Sequence, residues 1–87
     1  MRITIKQLES LCDWINKVKE APIKPYERVE GQFKANIGNY HLYQAYGAVA
    51  LHRMTNEGGG VSEVLGLGTK KELYNEMHAY IKGITNQ

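Results

Sequence analysis

The spacing of apolar residues changes twice along this 87-residue chain, from a helical period to a period of two and back. A helix needs apolar residues three or four positions apart to form one buried face, whereas a strand needs every second one. Because one period does not satisfy the other structure, helices are restricted to the two ends and strands to the middle. The sequence therefore predicts an α+β fold.

The first helix is predicted to run from about Ile5 to Lys19. Thr4 and Gln7 have the spacing of a capping box, in which each side chain accepts a hydrogen bond from the other residue's backbone N–H. The stretch 20–31 contains two prolines and has no clear period, so it is predicted to be a connection, with a short extended piece at Tyr26–Val29. The apolar face of this helix comprises Ile5, Leu8, Leu11, Cys12, Ile15 and Val18.

Alternation starts at Gln32, and Gly38-Asn39 suits a two-residue hairpin turn that would pair Ile37 with Tyr40. An even-length loop within 45–48 would place Leu42 opposite Leu51 and His41 opposite His52, whereas an odd-length loop would shift that pairing. The predicted strands after the turn are Tyr40–Gln44, Val49–Met54 and, beyond the glycine-rich block 57–60, Val61–Leu65.

A second capping box, Thr69 with Glu72, precedes a helix predicted from about Lys70 to Lys82. Its apolar stripe comprises Leu73, Tyr74, Met77, Tyr80, Ile81 and Ile84. We expect a single domain, residues 1–87, with the order α-β-β-β-β-α. In this two-layer sandwich, an antiparallel meander carries both helices on one face.

Charge and composition narrow the functional classes. Eleven basic and nine acidic residues give a net charge of +2, which is too balanced to indicate a nucleic-acid protein. A single cysteine, Cys12, forms no internal disulfide, and no apolar run approaches the ~20 residues that cross a bilayer. We expect a cytoplasmic protein that does not engage a membrane.

No catalytic constellation is evident in the sequence. A chain of this length has roughly 4–13 kcal/mol of stability, which leaves little margin for buried polar machinery. Cys12 lies in an apolar stripe, and Glu57 and Glu63 have no reason to form an acid/base pair. We therefore predict a non-enzymatic protein without a metal or other cofactor.

The segment before the second helix is one candidate site. Gly66, Gly68, Thr69, Lys70 and Lys71 would offer backbone amides, a hydroxyl and two ammonium groups to a phosphate or carboxylate. The structural alternative is that Gly68 ends a strand, Thr69 caps the helix and both lysines are solvated.

The sheet face away from the helices is the other candidate. His41, Tyr43 and His52 would lie on it and Tyr46 at the hairpin tip, where tyrosine supplies rigid contact area. The histidines would be close enough to share a metal, but no third ligand is evident, and solvated side chains are the simpler reading. The same face, with Ala45, Ala48, Ala50 and Met54, is moderately apolar, so we expect self-association.

Residues 36–83 resemble a group of small uncharacterised proteins of bacteriophages and prophages. The similarity lies in the Gly-Asn-Tyr segment, the Ala-Tyr-Gly turn, the Asn-Glu-Gly-Gly-Gly block and the Lys-Glu-Leu-Tyr-Asn helix start. It implies a stoichiometric binder of a host protein or nucleotide signal, for example an anti-defence inhibitor. Thr69-Lys70-Lys71 is also similar to the last helix start of double-stranded RNA-binding domains, but their Gly-Pro-His loop is missing.

Two functional hypotheses follow. The first is a phage-type accessory binding protein that occupies a host factor through the open sheet face and the Tyr46 turn. The second is a binder of phosphate-bearing ligands, either a nucleotide or a nucleic acid, at residues 66–71.

Overall fold

The computed structural model describes residues 2–85, which form two helices and five strands. The elements in chain order are α1 (Ile5–Val18), β1 (Tyr26–Val29), β2 (Gln32–Ala35), β3 (Tyr40–Ala45), β4 (Ala48–Met54), β5 (Val61–Gly68) and α2 (Lys70–Thr85). The α+β class and the order helix, strands, helix are confirmed. The layout of the strands differs from the prediction, because they form two antiparallel sheets instead of one meander.

Both ends of α1 carry complete caps. Gln7 N–H donates to the Thr4 hydroxyl and Thr4 N–H donates to the Gln7 side chain, which confirms the capping box. At the C-terminus, Glu20 has a φ of 54°. Its N–H bonds to Lys17 O, and Ala21 N–H bonds to Asn16 O. These two bonds define a Schellman motif that turns the chain away from the helix axis.

The β1–β2 hairpin forms a sheet of its own. Val29 pairs with Gln32 across a turn in which Glu30 and Gly31 have φ values of 52° and 80°. Two positive φ values match the right-handed twist of a two-residue hairpin. The short extended piece at Tyr26–Val29 is confirmed, and it takes β2 as its partner.

The predicted hairpin at Gly38-Asn39 is therefore wrong. These two residues instead extend the partner strand of β4, since Gly38 N–H donates to Met54 O and Met54 N–H donates to Asn39 O. Asn39 is fully buried, and its amide donates to Pro22 O. That side-chain bond fixes Asn39 against the connection after α1, so β2 and β3 diverge instead of pairing.

The β3–β4 hairpin has the even-length loop. Ala45 pairs with Ala48 around Tyr46-Gly47, which places His41 opposite His52 and Leu42 opposite Leu51 as predicted. Tyr46 and Gly47 have φ values of 54° and 74°. The turn therefore uses the same pair of left-handed conformations as the β1–β2 turn.

Strand β5 completes the order β3-β4-β5 and extends beyond the predicted Leu65 to Gly68. Its pairing with β4 is interrupted between Val49 and Leu51 and again between Leu51 and His52, where β5 carries the extra residues. At such bulges a strand bends and twists more strongly.

Both helices pack on one face of the three-stranded sheet. Helix α1 contacts β3 and α2, and α2 contacts β4 and β5. Between helices and sheet lies the core, comprising Ile3, Leu8, Leu11, Cys12, Ile15, Tyr40, Val49, Leu51, Leu73, Met77 and Ile81. Neither of the two helices described within residues 2–85 lies on the reverse face of the sheet.

Candidate binding surface

The reverse face of the three-stranded sheet is built in rows of directly paired residues, because paired residues in a sheet point to the same side. Tyr43 and His41 of β3 flank Ala50 and His52 of β4. On the other side of β4, Leu67 and Gly66 lie opposite Ala50 in the bulge, Glu63 lies opposite His52, and Val61 lies opposite Met54.

Three of the predicted site residues meet on this face. The Tyr43 ring stacks on the His52 imidazole with centroids 4.6 Å apart and planes 11° apart. His41 meets His52 edge-on at 6.0 Å, and its Nδ1 lies 3.3 Å from Asn39 Oδ1. Partial burial, followed by the charge of neighbouring His52, lowers the pKa of His41 below its ordinary value. The three rings therefore form one ordered cluster.

The centre of the reverse face is less open than the sequence suggested. Ala50 is inaccessible, His52 is 9% exposed and Met54 is 2% exposed. The Tyr43 ring, which stacks on the imidazole, covers part of His52. The accessible apolar groups are instead Tyr43, Val61 and Leu67 at the margins, each between 44% and 47% exposed. We define the outer surface as Tyr43, Tyr46, Val61 and Leu67.

Tyr46 is the most exposed residue of that surface. Its side chain is fully solvent-accessible at the tip of the hairpin, although its φ of 54° is strained for a residue with a Cβ. Beside it lies a shallow hollow of about 300 Å³ whose lining includes Gln44, Tyr46 and Lys70. The start of α2 is close to the hairpin tip because Gly68 pairs with Val49.

The start of α2 already holds a carboxylate. Glu72 accepts a hydrogen bond from Thr69 N–H at 3.0 Å, and Glu72 N–H donates to the Thr69 hydroxyl at 3.1 Å. The bonds from Thr69 lower the pKa of Glu72. Of the predicted anion-binding residues, Gly68 is thus the last residue of β5 and Thr69 is a cap. Gly66 lies in a bulge, and Lys70 and Lys71 are exposed.

The sequence pattern does not place Val61 or Leu67 on this face. Val61 belongs to a predicted strand, whereas Leu67 lies beyond the predicted end at Leu65, and the extension of β5 to Gly68 brings Leu67 beside β4. In the described residues 2–85 no three His, Cys, Asp or Glu side chains are grouped as metal ligands would be. Neither helix within this range has the length and apolar character of a membrane span.

Comparison with known proteins found no matching family model, no matching curated protein and no matching solved structure.

Proposed function

We propose that this chain is a non-enzymatic accessory binding protein of the phage type, which occupies a host protein through its outer surface. The observation that carries the proposal is Tyr46, a fully exposed aromatic side chain on a left-handed turn residue. A left-handed conformation costs roughly 1–2 kcal/mol in a residue with a Cβ. Glycine would form the turn without this cost, and asparagine would form it at a smaller cost.

The surroundings of Tyr46 support a protein partner. Interface hot spots are rich in tyrosine, because its large amphipathic ring loses little conformational entropy on binding. Tyr43 is held in place by stacking on His52, and Val61 and Leu67 add apolar area on the same face. A second copy of the chain is a further occupant of this surface, which would make the protein a homo-oligomer.

The test of the proposal is capture of a host protein by the intact chain and two variants. Tyr46→Asn removes the ring and suits the turn, so loss of capture would not come from unfolding. Phe33→Ala is the matched control, since Phe33 is 72% exposed but lies on β2, outside the outer surface.

We expect one host protein to be enriched by the wild-type chain and by Phe33→Ala, and lost with Tyr46→Asn. Equal capture by Tyr46→Asn would contradict the proposal. Sedimentation of the purified wild-type chain and of Tyr46→Asn tests whether a second copy is the occupant. A homo-oligomer formed by this surface would dissociate in the variant.

A second function, binding of a phosphate-bearing ligand such as a nucleotide, is favoured by one observation. Lys70 and Tyr46 line the same hollow, so a base could stack on the ring while the ammonium group meets a phosphate. The Glu72 carboxylate opposes this function, since it already bonds to Thr69 N–H.

Charge variants distinguish the two functions. Lys70→Glu with Lys71→Glu should abolish phosphate binding and leave host-protein capture nearly intact. Glu72→Gln should strengthen phosphate binding, which is measured from the amide shifts of residues 70 and 71 during titration with inorganic phosphate. Nucleic-acid binding would also weaken steeply with salt. If the lysine changes leave phosphate binding intact and Tyr46→Asn leaves host-protein capture intact, both functional assignments fail.

A further inference from the structure

A groove lies between helix α1 and the free edge of strand β3. It has a volume of about 260 Å³, and it is separate from the outer surface. Its helix side is lined by Ile5, Glu9, Cys12 and Asp13, its floor and strand side by Tyr40, His41, Leu42 and Gln44, and its end by Ile23 and Pro25.

The backbone of β3 offers unpaired groups to this groove. Tyr40 N–H donates to Asn16 Oδ1 at 2.7 Å, and the Asn16 amide donates to Tyr40 O at 3.0 Å. Tyr40 therefore directs both backbone groups away from β4. Since this direction alternates along an antiparallel strand, Leu42 and Gln44 also direct their N–H and C=O groups outward. Asn16 covers the edge at Tyr40, and no group within residues 2–85 hydrogen-bonds to the outward backbone N–H and C=O of Leu42 or Gln44.

Beyond Tyr40, which Asn16 covers, the sequence of this edge lacks the features that keep sheet edges from pairing. Strand β3 contains no charged residue, no proline and no bulge over its six residues. The opposite edge, β5, carries both Glu63 and register irregularities. An open edge with four free backbone groups specifies an extended chain as its complement.

The negative charge of the groove indicates which side chains the paired extended chain would carry. Glu9 and Asp13 lie one helical turn apart on α1, and they are the only acidic or basic residues among those that line the groove, apart from His41. Among residues 2–85 the single ion pair joins Lys34 to Glu57, so neither carboxylate has a cationic partner there. Burial, followed by the charges of Asp13 and Glu9, raises the pKa of the Cys12 thiol to about 12, and the contribution of the two charges is consistent with a negative potential here.

We propose that this groove binds an extended segment of a partner protein that carries lysine or arginine at alternate positions. The segment adds to β3 as a fourth strand and forms backbone hydrogen bonds with Leu42 and Gln44. The lysine or arginine side chains that point to the helix form ion pairs with Glu9 and Asp13. The aliphatic parts of the same side chains contact Ile5, Ile23 and Leu42.

The test uses a short end-blocked peptide of alternating valine and lysine, with a valine–glutamate peptide as the charge control. Binding is followed by amide shifts and hydrogen exchange in the intact chain. We expect the lysine peptide to shift the Leu42 and Gln44 amides and slow their exchange. Glu9→Gln with Asp13→Asn should weaken binding by about tenfold. The control is Glu63→Gln with Glu76→Gln. It removes the same number of negative charges outside the groove, so it should leave peptide binding unchanged.

Two further probes test the backbone contacts. Gln44→Pro removes an outward N–H, a change that edge strands tolerate, and it should weaken binding. A lysine peptide with methylated backbone nitrogens should not bind, and this arm requires no protein variant. Equal binding of the glutamate peptide, or of the methylated one, would overturn the proposal. A peptide-independent dimer with protected Leu42 and Gln44 amides would also overturn it, because a second copy would then occupy the edge.

Discussion

The side chain of Asn16 forms two hydrogen bonds with the backbone of Tyr40, which ties helix α1 to the edge of strand β3. Asn16 is 1% exposed, so both bonds are shielded from water. The side-chain amide of Asn16 takes the place that a residue of a neighbouring strand would occupy. It supplies one acceptor for Tyr40 N–H and one donor for Tyr40 C=O. The geometry of the groove depends on this contact.

Asn16→Ala should destabilise the fold strongly. It leaves Tyr40 N–H and C=O buried without partners, and such groups cost about 1–3 kcal/mol each, so we expect a loss of about 2–6 kcal/mol in the free energy of unfolding. Urea denaturation measures this loss. Asn75→Ala, on the exposed side of α2, is the control and should change stability by less than about 0.5 kcal/mol. A small loss for Asn16→Ala would show that water replaces the amide.

Tyr46→Asn should stabilise the protein, because asparagine adopts the left-handed turn conformation more readily than tyrosine does. A gain of about 1 kcal/mol raises the Tm of a domain of this size by roughly 4–8 °C, which calorimetry resolves. Tyr46→Phe retains the strain and should leave Tm unchanged. A lower Tm for Tyr46→Asn would mean that the ring stabilises the free protein, which its full exposure argues against.

Stability should fall as the pH is lowered through the range in which His41 titrates. The pKa of His41 is lowered in the folded protein, so below the ordinary value of 6.5 the unfolded chain binds the proton more readily. The contribution of His41 to stability is therefore complete above pH 6.5 and decreases until the pH reaches the lower folded pKa. Urea midpoints between pH 5 and 8 measure this slope. Replacement of His41 by Gln should flatten it, and an unchanged slope would contradict the assignment.

Cys12 should be unreactive in the folded protein. The residue is 5% exposed, and burial together with the charges of Asp13 and Glu9 raises the pKa of its thiol to about 12. At pH 8 roughly one molecule in 10,000 carries the thiolate, the form that reacts with disulfide reagents. We expect labelling only in denaturant, measured by mass spectrometry. Rapid labelling of the native chain would show that the groove exposes the sulfur.

The parts of the fold that the sequence predicted are those coded by neighbouring residues. The capping boxes at Thr4 and Thr69 begin both helices, and the β3–β4 register follows from one even-length turn. Both depend on contacts within a few positions along the chain, where spacing alone restricts the geometry.

The partner of β2 was not predictable in the same way. Gly38-Asn39 and Glu30-Gly31 both suit hairpin turns, and local propensity does not rank them. The choice depends on Asn39, whose buried amide bonds to Pro22, 17 positions away. The partial burial of the reverse face was also not predictable from local sequence, because the burial of His52 depends on the Tyr43 ring stacked on it across the strand pair.

From the sequence alone came the class of the fold, the two helices and the central hairpin that presents Tyr46. Only the tertiary structure decided that the strands divide into two sheets, that the centre of the reverse face is covered and that β3 has a free edge beside two carboxylates. The physical reason is the separation along the chain over which each kind of interaction acts. Periodicity and capping act within one helical turn or one hairpin, whereas sheet partners and grooves depend on contacts between residues far apart in the chain, such as Asn16 and Tyr40.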